Sequence, residues 1–228
     1  WNNLTEEMLP LAVQAAMAAI EKICPDAKNL LLIPENHTRN MFYLRNVGTL
    51  ERILRQAGMR VRIGSLNPEI TTLTKIDLGD GDTLTLEPVA RNGRRVGLYD
   101  FDPCMVLLNN DLSAGAPPIL VDLDQPIAPP LAAGWHNRKK SHHFSVFHRV
   151  AKEFAALLDI DPWLIDPYFG VCGKINFQER AGEECLSSNG SFLLEKSGGK
   201  YAEYGMAEEP FVIVKADAGT YGMGIMTV

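Results

Sequence analysis

A strand–helix–strand succession in the first third of the chain restricts its fold most strongly. The apolar run Leu30–Ile33 stops at Pro34, as expected for a short buried strand. Residues 41–57 then place apolar side chains at helical spacing along one face, and Gly58 suits the position that follows a helix. Met59–Ile63 alternates apolar and basic residues, as a strand does. This order predicts an open α/β sheet.

A β-hairpin is predicted to be inserted in this α/β domain. Thr83–Ala90 alternates in polarity, Asn92–Gly93 is a strong hairpin-turn signal, and Arg95–Tyr99 would form the returning strand. The alternate aspartates between residues 77 and 82 resemble a calcium loop. A calcium loop requires an acidic residue at its twelfth position, which is absent here, so we interpret these aspartates as a solvated turn.

Three further helices are predicted, at residues 4–22, at 142–158 and near 187–204. Thr5 and Ser141 are suitable N-cap residues for the first two, because a side-chain oxygen can accept a hydrogen bond from a free backbone N–H. The middle helix is predicted to bury its apolar side chains. These are Phe144, Phe147, Val150, Ala151, Phe154, Leu157 and Leu158.

Length and composition limit the number of domains and the class of protein. A chain of 228 residues is expected to form one large domain or two small ones. Asp161–Pro162 ends a helical region, so we place a domain boundary there, between residues 1–160 and 161–228. Apolar residues make up 46% and charged residues 22%, and the longest apolar run is too short to predict a membrane span.

Charge and cysteine usage indicate the partners and the compartment. A net charge of −6 argues against general nucleic-acid binding, which needs a basic surface. The four cysteines are widely spaced and form no CxxC pair, so we predict reduced thiols in a cytoplasmic protein rather than a zinc site. The start at Trp1 has neither a Met nor the pattern of a signal peptide, from which we expect a trimmed N-terminus.

Polar residues follow the apolar strand predicted at residues 104–108. They are Asn109, Asn110 and Asp111, and a long loop rich in Pro, Ala and Gly occupies residues 113–134. Ligands bind at the carboxyl ends of the strands in open α/β sheets, so these residues are candidates for a binding site. The alternative is that the two asparagines only cap a turn.

Three basic residues stand immediately before the helix predicted at 142–158. Arg138, Lys139 and Lys140 would add to the positive field at that helix N-terminus, which favours an anion. The alternative is a solvated turn. His142 and His143 point about 100° apart on a helix and would rarely share one metal ion, so we do not interpret this pair as a metal site.

A glycine-rich segment near the end of the chain carries the clearest chemical signal. Apolar runs at 211–214 and 225–228 flank it and predict a hairpin, with Lys215 at the end of the first strand. Gly219, Gly222 and Gly224 allow the backbone to approach a ligand closely, and successive N–H groups can bind phosphates. The spacing fits neither a P-loop nor a dinucleotide-binding fingerprint. A tight hairpin with purely structural glycines is the alternative.

The stretch FVIVKADAGTYGMGIMTV resembles the ATP-grasp pattern of a strand ending in lysine, a glycine-rich loop and a returning strand. The resemblance implies that Lys215 contacts ATP phosphates. It also implies that Lys174, in VCGKINFQERAGEEC, is a second nucleotide-binding lysine on the first strand of the same subdomain. The implied loop that closes over the nucleotide consists of Gly219, Thr220, Tyr221, Gly222, Met223 and Gly224.

Four stretches together are similar to the proteobacterial form of glutamate–cysteine ligase. They are LLNNDLSAGAPPIL, GWHNRKKSHHF, GKINFQERAGEEC and VIVKADAGTYGMG. The resemblance implies a pre-ATP-grasp α/β domain at 1–160, followed by the start of an ATP-grasp fold at 161–228. It also implies ATP-dependent joining of the glutamate γ-carboxyl to the cysteine amine through an acyl phosphate.

The resemblance also implies roles for the candidate residues. Arg138 and Lys139 would be catalytic, while Asn109, Asn110 and Arg138 would bind substrate. ATP-grasp enzymes take their magnesium ligands from strands after the glycine loop, so the ligands would lie beyond Val228 and the chain is expected to be a fragment.

Two alternatives to this function remain open. One is another ATP-grasp ligase, such as a glutathione synthetase; the other is a non-catalytic nucleotide-binding module, if the chain is natively this short. The expected partners are glutamate, cysteine and ATP, with neither nucleic acid nor membrane, and a homo-oligomer is possible.

Overall fold

The computed structural model describes residues 1, 3–36, 39–79, 81–219 and 225–227. Within them the chain forms two compact units, Trp1–Gly134 and Trp135–Val228. The first unit contains α1 (Leu9–Ile23), β1 (Asn29–Pro34), α2 (Met41–Gln56), β2 (Arg60–Ser65), β3 (Thr74–Gly79), β4 (Asp82–Pro88), β5 (Ala90–Asn92), β6 (Arg95–Gly97), β7 (Met105–Asn109) and β8 (Ile127–Ala128). The second contains α3 (Lys140–Leu158), α4 (Glu183–Glu203), β9 (Ile213–Lys215) and β10 (Ile225–Thr227).

The first unit is built on a six-stranded sheet in the order β3-β4-β2-β1-β7-β8. The pair β3–β4 is antiparallel and the other four neighbouring pairs are parallel, so the predicted mixed α/β fold is confirmed. The chain passes from β1 to β2 on one side and later returns to β7 on the other side. The succession of strands therefore reverses at β1, and the carboxyl ends of β1 and β7 flank the crevice where such sheets bind ligands.

Both faces of this sheet are buried, which explains why β1 is apolar without alternation. Leu30 and Leu32 face a cluster that includes residues of α1 and α2, such as Ile20 and Val47. Leu31 and Ile33 face the opposite cluster, which consists largely of residues from β6, β7 and the loops around them. Helices thus cover one side of the sheet, and the hairpin with its long following loop covers the other.

The inserted hairpin is shorter than predicted. Strands β5 and β6 pair antiparallel with Asn92 opposite Arg95, and Gly93 adopts a φ of 59°, so the predicted turn is confirmed. The prediction that Thr83–Ala90 belongs to this hairpin was wrong, because β4 joins the main sheet between β2 and β3. Its fully buried residues pack in the main core: Leu84 is 0% and Leu86 2% exposed.

Three of the predicted helices begin at other residues than expected. Helix α1 starts at Leu9 with Met8 as its N-cap residue, so the proposed cap Thr5 was wrong. Helix α3 starts at Lys140 after Lys139, which places the proposed cap Ser141 inside the first turn. Helix α4 starts earlier than predicted, at Glu183. This acidic residue lies in the first turn, where the positive end of the helix dipole favours a negative charge.

The predicted buried face of α3 was largely wrong. Of the seven apolar side chains expected to be buried, only Ala151 is, and the helix also buries Ala155. Phe154 is 50% and Leu157 84% exposed. Helix α3 packs through small residues instead, and Val150, Phe154, Leu157 and Leu158 each stay at least half exposed.

The division between the compact units differs in position from the predicted domain boundary. It falls after Gly134, so α3 belongs entirely to the second unit. The boundary between residues 160 and 161 stays a prediction. None of the helices among the described residues combines the length and apolar composition that crossing a membrane would require.

Candidate functional site

The glycine-rich segment of the second unit lies in a hairpin, as predicted. Strands β9 and β10 pair antiparallel, and Lys215, the last residue of β9, stands opposite Ile225. The side chain of Lys215 is exposed. Gly219 has a φ of 100°, a conformation that favours glycine, and a Cβ added there would meet no atom within 4 Å. The predicted loop residues 220–224 lie outside the described part of the chain.

The start of this loop is attached to the first turn of α3. The ammonium group of Lys140 donates hydrogen bonds to the carbonyl oxygens of Ala216, at 2.8 Å, and Gly219, at 3.1 Å. The backbone N–H of Lys140 donates to the Asp217 carbonyl at 2.9 Å. The backbone N–H of Ser141 donates to Asp217 Oδ1 at 2.8 Å. Four hydrogen bonds therefore hold the residues between Lys215 and the described end of the loop.

The surroundings of Asp217 stabilise its negative charge. The Ser141 N–H lowers the pKa of the Asp217 carboxyl below its usual value, and the nearby ammonium groups of Lys139 and Lys140 lower it further. A free N–H at a helix start favours an anion, and here a protein carboxylate occupies one such position. Sequence reasoning missed Asp217; its place directly before the glycine-rich turn is the one signal that could have indicated it.

The three basic residues before α3 have different surroundings. Lys140 is used to hold the loop. The guanidinium carbon of Arg138 lies 4.9 Å from the ring centroid of Trp135, a cation–π arrangement that orients the side chain. Lys139 is exposed and adopts extended backbone geometry at the N-cap position, with no side-chain capping bond. The structure thus brings the basic segment and the glycine-rich hairpin together in one unit.

Lys174 is not on a strand, so that part of the prediction was wrong. It lies exposed in an irregular segment whose pairing is a single bridge between Asn176 and Ala181. Its predicted role in nucleotide binding stays a prediction.

The two candidate asparagines of the first unit behave differently from one another. Asn110 donates from Nδ2 to the Pro34 carbonyl at 3.1 Å and accepts at Oδ1 from the Leu112 N–H at 2.9 Å. It therefore caps a turn and ties the ends of β1 and β7. The backbone carbonyl of Asn109 accepts from the Tyr43 hydroxyl at 2.7 Å. Its side-chain Oδ1, in contrast, is buried without a hydrogen-bond partner in the described structure.

Metal-ligating side chains do not cluster in the described part of the chain. No group of three or more His, Cys, Asp or Glu side chains there is arranged to hold a metal ion. All four cysteines are free thiols.

Comparison with known proteins gave two matches. A family model described as "Glutamate-cysteine ligase" matches residues 1–228. A crystal structure of a protein from Methylobacillus flagellatus KT, described as "Putative gamma-glutamylcysteine synthetase", is 62% identical in sequence and superposes with a TM-score of 0.90. That match covers 100% of this chain and 54% of the other, so the chain spans about half the length of that relative. No curated protein matched the chain.

Proposed function

The chain belongs to the glutamate–cysteine ligase family, and from this premise we propose that it forms part of an ATP-dependent, ADP-forming ligase. The proposed reaction joins the γ-carboxyl of glutamate to the amine of cysteine. We further propose that the second unit supplies an ATP-grasp phosphate site and that the first unit is a pre-ATP-grasp domain. The substrates would be glutamate, cysteine and ATP, used in the cytoplasm.

The observation that carries the proposal is the anchored hairpin of the second unit. Lys215 ends β9, and the first turn of α3 holds the following residues 216–219 through Lys140 and Ser141. Phosphoryl transfer needs cations and backbone donors held in fixed positions around the phosphates. Lys215 would provide such a cation, and the held residues 216–219 would fix the backbone beside it, on one side of the nucleotide.

The chemistry explains why ATP is required. A carboxylate oxygen is a poor leaving group, so the γ-carboxyl is first phosphorylated to an acyl phosphate, which the amine then attacks. Lys215, with Lys174 and residues 219–224, would bind the nucleotide. Arg138 and Lys139 would stabilise the charged intermediates, because guanidinium and ammonium groups bind carboxylate and phosphate oxygens.

Substrate binding in the first unit is proposed for Asn109 rather than Asn110. The side chain of Asn110 is occupied by Pro34 and Leu112, whereas Asn109 Oδ1 lacks a partner among the described residues. Asn109 also stands at the end of β7, next to the strand reversal where open sheets bind ligands. Magnesium is expected to accompany ATP, but the described residues do not form a site for it, so we assign no ligand in this chain.

The test is ADP release by the full-length gene product. Magnesium-ATP and glutamate are supplied with and without cysteine, for the wild type and for Lys215→Ala. Turnover that needs both amino acids and falls in Lys215→Ala would support the ligase and the phosphate role of Lys215. The control is Lys75→Ala, which removes an exposed lysine from edge strand β3 and is expected to leave turnover unchanged. Absence of turnover with intact ATP binding would contradict the ligase and favour a nucleotide-binding module.

A further inference from the structure

The second unit contains a histidine–aspartate pair that the proposed nucleotide site does not use. His148 Nδ1 lies 2.5 Å from Asp166 Oδ2. The Asp166 side chain is 4% exposed, whereas that of His148 is 42% exposed. One edge of the imidazole is therefore fixed on a buried carboxylate while the rest of the side chain is partly open to solvent.

Several contacts hold this pair in place. Asp166 follows the 3-10 helix Pro162–Leu164, and its backbone N–H donates to the Pro162 carbonyl at 2.9 Å. The Phe169 ring meets that of His148 edge-on, with centroids 6.4 Å apart, and stacks on Phe144 at 5.5 Å. The histidine thus comes from α3 and the aspartate from the segment after it, with aromatic rings beside them.

The second oxygen of Asp166 argues against a purely structural pair. Oδ1 is buried and has no hydrogen-bond partner in the described structure. A buried carboxylate that lacks part of its hydrogen bonding destabilises a fold relative to an apolar residue of similar size. Fold stability alone therefore gives no reason for an aspartate at this position, whereas a role in chemistry does.

The pair has the arrangement of a proton acceptor. A carboxylate that accepts a hydrogen bond from Nδ1–H orients the ring and leaves Nε2 as its proton acceptor. Resting on the function proposed above, we propose that His148 accepts the proton that the amine substrate must lose, and that Asp166 positions the ring. The cysteine ammonium gives one proton to Nε2, and the freed nitrogen lone pair attacks the acyl carbon. The carbon–oxygen bond to phosphate then breaks. The phosphate leaves with that electron pair and takes up the second proton, which the nitrogen loses as the amide forms.

The position of His148 on α3 connects it with the nucleotide hairpin. Ser141 and His148 are seven residues apart, which places them on nearly the same face of the helix, about 10 Å apart along its axis. Ser141 is the residue whose N–H holds Asp217 at the start of the glycine-rich turn. One helix thus presents the loop attachment at its first turn and the proton acceptor two turns later on the same side.

The experiment separates amine attack from acyl-phosphate formation in the full-length protein. The first assay measures cysteine-dependent ADP release. The second replaces cysteine with hydroxylamine, which is already unprotonated at neutral pH, and measures glutamyl hydroxamate. His148→Gln is expected to lower kcat with cysteine by about 10²- to 10⁴-fold, the usual contribution of a general base, while hydroxamate formation stays close to wild type. Asp166→Asn is expected to show the same pattern with a smaller loss. His142→Gln, an exposed histidine of the same helix, is the matched control and should change neither assay.

The outcomes distinguish this inference from the proposed function. Selective loss of the cysteine reaction in His148→Gln and Asp166→Asn supports the inference, because a merely structural pair would affect both nucleophiles alike. Unchanged cysteine turnover in both variants, or equal loss in both assays, overturns it while leaving the ligase intact. If His148→Gln fails to fold, Asp166→Asn tests the inference through the same comparison of the cysteine and hydroxylamine assays. A wild type that is inactive in both assays overturns the proposed function instead, and this inference with it.

Discussion

Asp217 Oδ1 accepts a hydrogen bond from the backbone N–H of Ser141 at 2.8 Å, across 76 residues of sequence. The first N–H groups of a helix have no partner within the helix, and the N-cap residue Lys139 provides no side-chain acceptor. Asp217, two residues after the end of β9, therefore caps α3. The same bond that completes the helix fixes the loop beside Lys215.

Replacing Asp217 should change both the pH dependence of stability and the affinity for nucleotide. Because the folded-state pKa of Asp217 is lowered, its charge stabilises the fold fully above the unfolded carboxyl pKa of about 3.9, and this contribution is lost as pH falls through the lower folded value. Asp217→Asn should show less loss of stability in that acid range, since its oxygen still accepts the bond but carries no charge. Urea unfolding of the wild type and the variant, from about pH 6 down to about pH 2, measures this difference in stability.

Asp217→Ala serves as the partner variant, because it removes the acceptor as well as the charge. It should bind ATP more weakly than Asp217→Asn, as the loop start loses its attachment to Ser141. Equal ATP affinities for the wild type and both variants would contradict a role for this bond in holding the nucleotide site.

Sequence patterns within a few residues predicted three elements of the first unit correctly. The apolar run of β1, the amphipathic face of α2 and the Asn92–Gly93 turn each reflect a periodicity or a turn preference within a few residues, and all three appear in the structure. The Asp217–Ser141 and His148–Asp166 contacts depend on how distant segments meet, and no spacing in the sequence encodes them. The exposed face of α3 could not be predicted either, since periodicity shows which residues share a face but not what covers it.

The two adjacent asparagines at the end of β7 should respond differently to truncation. Asn110→Ala should lower the free energy of unfolding by about 1–3 kcal/mol, because it removes the two hydrogen bonds that Asn110 makes with the Pro34 carbonyl and the Leu112 N–H. Asn109→Ala should cost less stability, since its buried Oδ1 makes no hydrogen bond in the described structure. Urea denaturation measures both, and a higher KM for an amino-acid substrate in Asn109→Ala alone would support its proposed binding role.

Gln125 should be one of the most sensitive polar positions of the first unit. It is 3% exposed, accepts from the Val96 N–H at 2.7 Å, and donates to the carbonyls of Val96 and Pro103, both at 2.8 Å. Gln125→Ala should lower the free energy of unfolding by about 3 kcal/mol, because it removes three hydrogen bonds to backbone groups at once. The exposed Gln178 offers a control whose change to Ala should have little effect. Similar unfolding midpoints for the two variants would show that the Gln125 contacts contribute little.

Two positions on α3 should differ sharply in their tolerance of substitution. Leu157 is 84% exposed, so Leu157→Ser should change the free energy of unfolding by no more than about 0.5 kcal/mol. Ala155 is 0% exposed, so Ala155→Leu should destabilise by about 1–3 kcal/mol through overpacking. Thermal unfolding of the two variants tests the pair. A large loss in Leu157→Ser would mean that another surface covers this face in solution.

Cys104 and Cys172 should react with iodoacetamide at different rates. Hydrogen bonds from the backbone at Lys28 and Asn29 lower the pKa of the Cys104 thiol, whereas burial and then the neighbouring Cys185 raise that of Cys172. The thiolate is the reactive form and both thiols are partly exposed, so Cys104 should be alkylated faster near neutral pH.

Peptide mass spectrometry over a time course measures the two alkylation rates separately. Raising the pH should narrow the difference between the two alkylation rates, because the Cys172 thiol ionises at a higher pH than the Cys104 thiol. In urea the two rates should converge, since unfolding removes both the backbone donors at Cys104 and the burial of Cys172. Faster labelling of Cys172 than Cys104 in the native protein would show that access to the thiols, rather than their ionisation, controls the reaction.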